Sequence, residues 1–173
     1  MRTRTRKSLA LVGAAAALSI ALSGCSAIDG LLNGKGQDAD RDKSGNVKED
    51  AEIGIFNLKV GDCVLADANQ NGEMSSANVT PCDKPHDQEV YFEFDMTGDT
   101  YPADDAFQEA AAAQCIPAFE KFVGHPFDGS ALDIRTMTPT PDTWNKMNDR
   151  KVQCIIVDLN GAKLEGSMKG KAI

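Results

Sequence analysis

Four cysteines constrain this chain more than any other feature. Of the five in the sequence, Cys25 closes an apolar N-terminal run and stands apart, leaving Cys63, Cys82, Cys115 and Cys154. Aromatic residues make up only 6% of the chain, so the core is modest and covalent cross-links carry weight. Three pairings are open. Cys63–Cys82 with Cys115–Cys154 is favoured, because each loop then stays within one half of the domain. In the chain-entropy model loops of that size stabilise by roughly 3–4 kcal/mol each. The competing use of four cysteines is a zinc site. No Cys-x-x-Cys pair exists and the spacings fit no zinc knuckle, so neither a metal nor a cofactor is expected.

The N-terminus is the reason for setting Cys25 aside. Arg2, Arg4, Arg6 and Lys7 precede an almost wholly apolar run from Leu9 to Leu22. That is the length of a signal-peptide core and short for a membrane span. Leu22-Ser23-Gly24-Cys25 resembles the lipobox of bacterial lipoproteins. The resemblance implies a signal peptide over 1–24, cleavage between Gly24 and Cys25, and diacylglyceryl and palmitate-type acylation at Cys25. Two acyl chains suffice for stable anchoring. The lipid bilayer is therefore the first expected partner, and the extracytoplasmic face of the cell membrane the expected location. That compartment is oxidising, which suits disulfides.

Residues 1–24 hold the four bases named above and no acid, so their removal takes the formal net charge from −8 to −12. A chain that acidic is a poor ligand for nucleic acid. The acids are unevenly spread: residues 53–109 carry twelve against Lys59 and Lys84, whereas residues 110–173 carry seven against eight bases. A solvated face accounts for this, with a divalent-cation binder as the functional alternative.

Residues 25–52 read as the lipidated cysteine and a flexible acidic tether, and 53–173 as the folded domain. A flexible tether of this length has an r.m.s. span of roughly 30 Å. Within it, Asp40-Arg41-Asp42-Lys43-Ser44-Gly45-Asn46-Val47 matches the first eight positions of a calcium loop. Position twelve is Ala51, not a bidentate carboxylate, so the stretch reads as linker.

In the domain, Ile55 to Val60 reads as a strand, and Gly61-Asp62 turns the chain into Cys63-Val64-Leu65. Asn69 to Gly72 is a polar turn. From Gln88 to Met96 the pattern alternates, with Val90, Phe92 and Phe94 on one face. Phe107, Ala111, Cys115, Ala118 and Phe122 share one face of a helix introduced by Asp104 and Asp105. Cys115 then faces the core, and its partner should come from the sheet. Cys154, in the strand-like Lys151 to Val157, fits that geometry. Pro117 is expected to kink the helix or start a second one. A short helical turn is expected at Pro141 to Trp144, a hairpin turn at Asn160-Gly161, and a last strand at Lys163 to Ser167. The fold class is α+β: a small antiparallel sheet packed against one main helix, with two disulfides.

Only His86 and His125 offer imidazoles. His86, Asp87 and Glu89 have residue types suited to metal binding or acid–base work. In a strand, however, 87 and 89 share a face and 86 points away, so a turn in which His86 or Asp87 satisfies backbone groups is the plainer reading. His125 suits a cap or the surface. Trp144 reads as a core plug under a proline loop. No nucleophile elbow, P-loop or His-Glu-x-x-His is present, and no catalytic residue is assigned.

Val60-Gly61-Asp62-Cys63, Val79-Thr80-Pro81-Cys82, Pro85-His86-Asp87-Gln88-Glu89-Val90, Tyr101-Pro102 and Cys115 resemble the septum formation domain of actinobacterial envelope proteins. Pro141-Asp142-Thr143-Trp144, Asp149-Arg150, Cys154 and Gly166-Ser167 fit its second half. The resemblance covers Leu58 to Gly170. Val64, Gln88 and Asn148 depart from its pattern. It implies an extracytoplasmic, disulfide-bonded module, often membrane-tethered; an envelope or division protein is the expected partner, and Pro85, His86, Asp87, Glu89 and Trp144 are the candidate functional motif. The expected function is non-enzymatic binding or assembly at the envelope. The alternatives are an envelope hydrolase using His86, Asp87 or Glu89, and the cation binder.

The lipid reading makes the first prediction. Cys25→Ala is expected to move the protein from the membrane to the soluble fraction and to abolish metabolic labelling with palmitate. Unchanged membrane attachment of that variant would overturn it.

Overall fold

The structure, a computed structural model, describes residues 38–66 and 73–173. The leader, Cys25 and the Asn69–Gly72 turn lie outside the described residues. Among the described residues six strands form one antiparallel sheet: β1 (Ala51–Gly54), β2 (Cys63–Leu65), β3 (Ser76–Thr80), β4 (Gln88–Asp95), β5 (Leu132–Met137) and β6 (Lys151–Asp158). Their spatial order is β1-β3-β2-β4-β6-β5. Helix α1 (Asp104–Val123) and the short α2 (Pro141–Met147) complete the α+β fold. No helix among the described residues is long and apolar enough to cross a membrane.

Strand β6 is buried on both faces, from Val152 through Val157. Cys154 and Ile156 point to a core shared with Cys115, Phe119 and Val123 of α1. Ile155 and Val157 point to a second core on the other face, with Ile53, Leu58, Val79 and Val90. The Cys115–Cys154 disulfide staples α1 to this central strand, and Cys63–Cys82 ties the start of β2 to the chain leaving β3. The favoured pairing is the one that forms.

Helix α1 keeps its apolar residues on the sheet side, with Phe107, Cys115, Phe119 and Val123 buried. It runs unbroken through Pro117. Proline leaves the carbonyl four residues back without its donor, and that residue, Ala113, is exposed, so water can serve it. Gly124, at φ 83°, ends the helix in the left-handed region. Helix α2 starts in a capping box, in which Thr140 Oγ1 accepts from the Thr143 amide and the Thr143 hydroxyl oxygen accepts from the Thr140 amide. The turn expected around Pro141 to Trp144 is this helix.

Three expectations need correction. The strand expected over Ile55 to Val60 lies earlier: β1 ends at Gly54, and Ile55–Asn57 form one turn of 3-10 helix that leaves Phe56 exposed. Lys163 to Ser167 makes one isolated bridge, between Leu164 and His86, rather than a strand. In β4 a bulge between Val90 and Phe92 breaks the alternation. Val90 belongs to the second core, whereas Phe92 and Phe94 pack beside α1 with the bulged Tyr91. The Tyr91 hydroxyl donates to the Cys115 carbonyl at 2.8 Å, next to the staple.

The boundary at residue 53 also moves. Residues 38–52 are docked on the domain. Ala39 and Val47 enter the second core, and Arg41 bridges to Val47 around a tight turn. Asp42 closes that turn by accepting from the Ser44 and Asn46 amides and the Asn46 side chain. The calcium-like pattern is thus an Asx turn. Arg41 pairs with both carboxylate oxygens of Asp62, which is 1% exposed and also accepts from the Lys59 amide. This two-pronged pair holds the Arg41 guanidinium charged more firmly than usual, chiefly through its hydrogen bond to Asp62.

Removing one member of a buried ion pair leaves the other unpaired, which costs more than the pair contributes. Arg41→Ala is expected to lower the unfolding free energy in urea by about 3 kcal/mol and to open residues 38–50 to limited proteolysis. A change below about 0.5 kcal/mol, the scatter of neutral surface substitutions, would show that the clasp does not hold this segment.

Candidate functional site

The Pro-His-Asp-x-Glu segment enters β4 from the turn after Cys82. Pro85 is exposed. His86 is fully buried before the strand begins, and its amide and carbonyl bond to Leu164 at 3.0 and 2.8 Å. Its ring Nδ1–H donates to the Lys84 carbonyl at 2.8 Å, because a carbonyl can only accept. The other nitrogen, Nε2, is buried and has no hydrogen-bond partner. Asp87 accepts from the Ala66 amide at 2.7 Å and the Lys163 ammonium at 2.6 Å. Burial works to raise its pKa, but these two bonds prevail and hold it below the ordinary value.

Glu89 is 1% exposed. Its carboxylate accepts from the Ser167 hydroxyl at 2.6 Å and the Met168 amide at 2.7 Å, fastening the C-terminal segment to the sheet. That segment continues over the end of α1, where Gly170 and Ala172 donate to the Phe122 and Val123 carbonyls. Burial pushes the Glu89 carboxyl above its ordinary pKa of 4.5, and the Ser167 and Met168 bonds offset only part of the rise.

Cross-strand register places Cys63 directly opposite Glu89. Cys63 Sγ, a ring nitrogen of His86 and a Glu89 oxygen lie within 4.8 Å of one another. Alternation along a strand does not separate His86 from Glu89 here, because His86 precedes the strand. Asp87 is outside the cluster. With Cys63 bonded to Cys82, the cluster offers an imidazole nitrogen and a carboxylate but no thiolate. A polar cleft of about 630 Å³, lined by Asp42, Asn46, Asp83 and Lys169 among others, reaches Glu89 and Cys82 from outside.

Trp144 lies elsewhere, 1% exposed against Phe107 and Val152. Its Nε1–H donates to the Asp99 carbonyl at 3.0 Å, and the Arg150 guanidinium sits 3.7 Å from its ring centre. The Pro-Asp-Thr-Trp and Asp-Arg motifs therefore meet in one packed unit. His125, half-buried, donates from Nδ1 to the Pro126 carbonyl.

A second cleft, of about 490 Å³ and mainly apolar, opens on the sheet face away from α1. Ile55, Phe56, Met74 and Met137 line it, and Phe56 and Met74 are 55% and 38% exposed. At its rim, Asp149 accepts from the Thr143 hydroxyl and the Lys151 amide, and Lys151 pairs with Glu93 at 3.3 Å.

A family model described as Septum formation matches residues 60–172. The chain belongs to the septum formation family. No curated protein and no solved structure matches it. The matched span of this septum formation domain ends where the C-terminal segment caps α1. It also takes in both disulfides, the Glu89 fastening and the Trp144 unit. Arg41, which clasps the domain, lies ahead of the match. Nothing in its local sequence distinguishes it from other linker charges, although the isolated Val47 is a trace of burial. Phe56 and Met74 carry no periodic signal at all.

The opposite shifts of buried Glu89 and of the more exposed Asp87 and Asp38 set a pH dependence. Because the folded pKa of Glu89 is raised, the folded state takes up its proton first as pH falls toward 4.5, and stability rises in that window. Asp87, and Asp38 beside Lys59, have lowered folded pKa values, so their contribution is present above 3.8 and lost as pH falls further. Urea midpoints are expected to rise modestly from pH 7 to pH 4.5 and to fall below pH 3.8. Glu89→Gln is expected to remove the rise and keep the fall. A rise that survives in that variant would assign it to another group.

Proposed function

We propose that this septum formation domain is a non-enzymatic binding module, tethered by lipid at Cys25 on the extracytoplasmic face of the cell membrane. Its partner is an extended, apolar segment of an envelope or division protein, received in the cleft beside β5. One observation carries the reading: exposed Phe56 and Met74, with Ile55 and Met137, surround an open, mainly apolar cleft in which Asp149 and Lys151 are engaged with neighbours. Strand β5 ends the sheet and has no partner on its outer edge among the described residues. Thr136 and Met137, at the end of β5, form part of the cleft wall. An added strand gains main-chain hydrogen bonds there while its alternate side chains enter the cleft.

A hydrolase using His86, Asp87 and Glu89 has less support. Asp87 is held by Ala66 and Lys163 and lies outside the cluster that His86 and Glu89 share with Cys63.

A photo-crosslinking amino acid at Phe56 or Met74, introduced in growing cells, tests the binding reading. Both positions are expected to capture the same envelope or division protein, and the same probe at exposed Asp128 is not. Met137→Asp, with both disulfides still formed, is expected to reduce the capture at least tenfold. No capture at either cleft position, or equal capture at Asp128, would reject the reading.

A further inference from the structure

We propose that Cys63, Cys82, His86 and Glu89 form a metal site that opens on reduction and takes a thiophilic divalent cation of the zinc class. Three observations converge. Cys63 Sγ, a His86 nitrogen and a Glu89 oxygen are within 4.8 Å of one another, and Cys82 Sγ is bonded to Cys63 Sγ. Two sulfurs, a nitrogen and an oxygen are a complete tetrahedral donor set for zinc. His86 has its Nδ1–H fixed on the Lys84 carbonyl and its buried Nε2 lone pair unpartnered. That is the state in which a second hydrogen bond orients an imidazole for a metal. Finally, the two disulfides differ in access. Cys115 and Cys154 are 1% and 0% exposed, whereas Cys82 is half-buried and lines the polar cleft.

The co-reactant is a dithiol. One of its thiolates attacks Cys82 Sγ through the cleft. A new S–S bond forms, the Cys63–Cys82 bond breaks, and the electron pair leaves on Cys63 as thiolate. The second thiolate of the reductant attacks the mixed disulfide, so the dithiol leaves oxidised and Cys82 leaves as thiolate. Two electrons pass from the dithiol to the protein disulfide. The cation binds both thiolates, and the protons they would otherwise hold go to solvent. The oxidised form lacks the thiolates and with them the site.

The full chain carrying Cys25→Ala tests this, with cobalt(II) as the probe. After reduction by a phosphine and removal of the reductant, one equivalent of cobalt(II) is expected to give thiolate-to-metal charge-transfer absorption, displaced by zinc. The oxidised chain is expected to give none. His86→Ala is expected to weaken cobalt binding at least tenfold, and His125→Ala to leave it unchanged. If His86→Ala does not fold, the 15N shift of His86 Nε2 in the reduced parent is expected to move on adding cadmium. Charge transfer that persists in the double variant Cys63→Ser/Cys82→Ser, affinity unchanged in a folded His86→Ala, or a stationary Nε2 resonance would each overturn the proposal.

Discussion

Strand β6 has to be covered on both faces. Val152 to Val157 present apolar or neutral side chains in unbroken succession. A strand of that kind is stable only between two layers. On one side the layer is α1, fixed by the Cys115–Cys154 bond and by the Tyr91 hydroxyl on the Cys115 carbonyl. On the other side no helix of the described residues packs against Ile155 and Val157. That core is closed by Ile53 and Leu58 around β1 and by Ala39 and Val47 from the segment ahead of it. With α1 the one long helix among the described residues, the domain thus recruits its own N-terminal approach as the second cover, and the apolar cleft lies on the face that this cover leaves open.

Three segments outside the sheet are docked by a carboxylate that is buried or half-buried. Asp62 holds the approach through Arg41, Asp87 holds the chain after β2 through the Ala66 amide, and Glu89 holds the C-terminal segment through Ser167 and Met168. Gln153 joins in from β6 by donating to the Leu58 carbonyl at 3.0 Å. A buried carboxylate is costly without partners, so each of these joints fixes one geometry and penalises every other. This gives the Gly-Asp-Cys and His-Asp-x-Glu motifs a physical reason independent of catalysis: they are where irregular chain is fastened to regular sheet.

Much of this was legible in the sequence, for identifiable reasons. The disulfide pairing could be read because the helical period put Cys115 on the buried face and Cys154 in a strand. Helix α1 could be read because its apolar face persists across Pro117. What could not be read depends on single residues. The bulge at Tyr91 moves Phe92 and Phe94 to the face opposite Val90, and no composition rule announces a bulge. The approach segment reads as tether because an Asx turn uses the same Asp, Ser, Gly and Asn as a flexible linker. The gathering of Cys63, His86 and Glu89 was hidden for a different reason. Metal spacing rules assume ligands from one or two local loops, whereas these come from β2, the turn before β4 and β4 itself.

Asp62 and Cys63 are adjacent in the chain, and that adjacency links the approach segment to the accessible disulfide. Asp62 receives Arg41, while Cys63 bonds Cys82. Asp42 and Asn46, on the turn that Arg41 anchors, form one wall of the polar cleft through which Cys82 is reached. Cys115–Cys154 has no such wall, because both sulfurs sit between α1 and β6 in the first core. The two cross-links therefore differ in kind. One is sealed inside the layer that stabilises β6. The other lies beneath a polar turn held by the Arg41–Asp62 and Lys59–Asp38 pairs and by the burial of Ala39 and Val47, so its exposure to a reductant depends on how firmly this approach segment is docked.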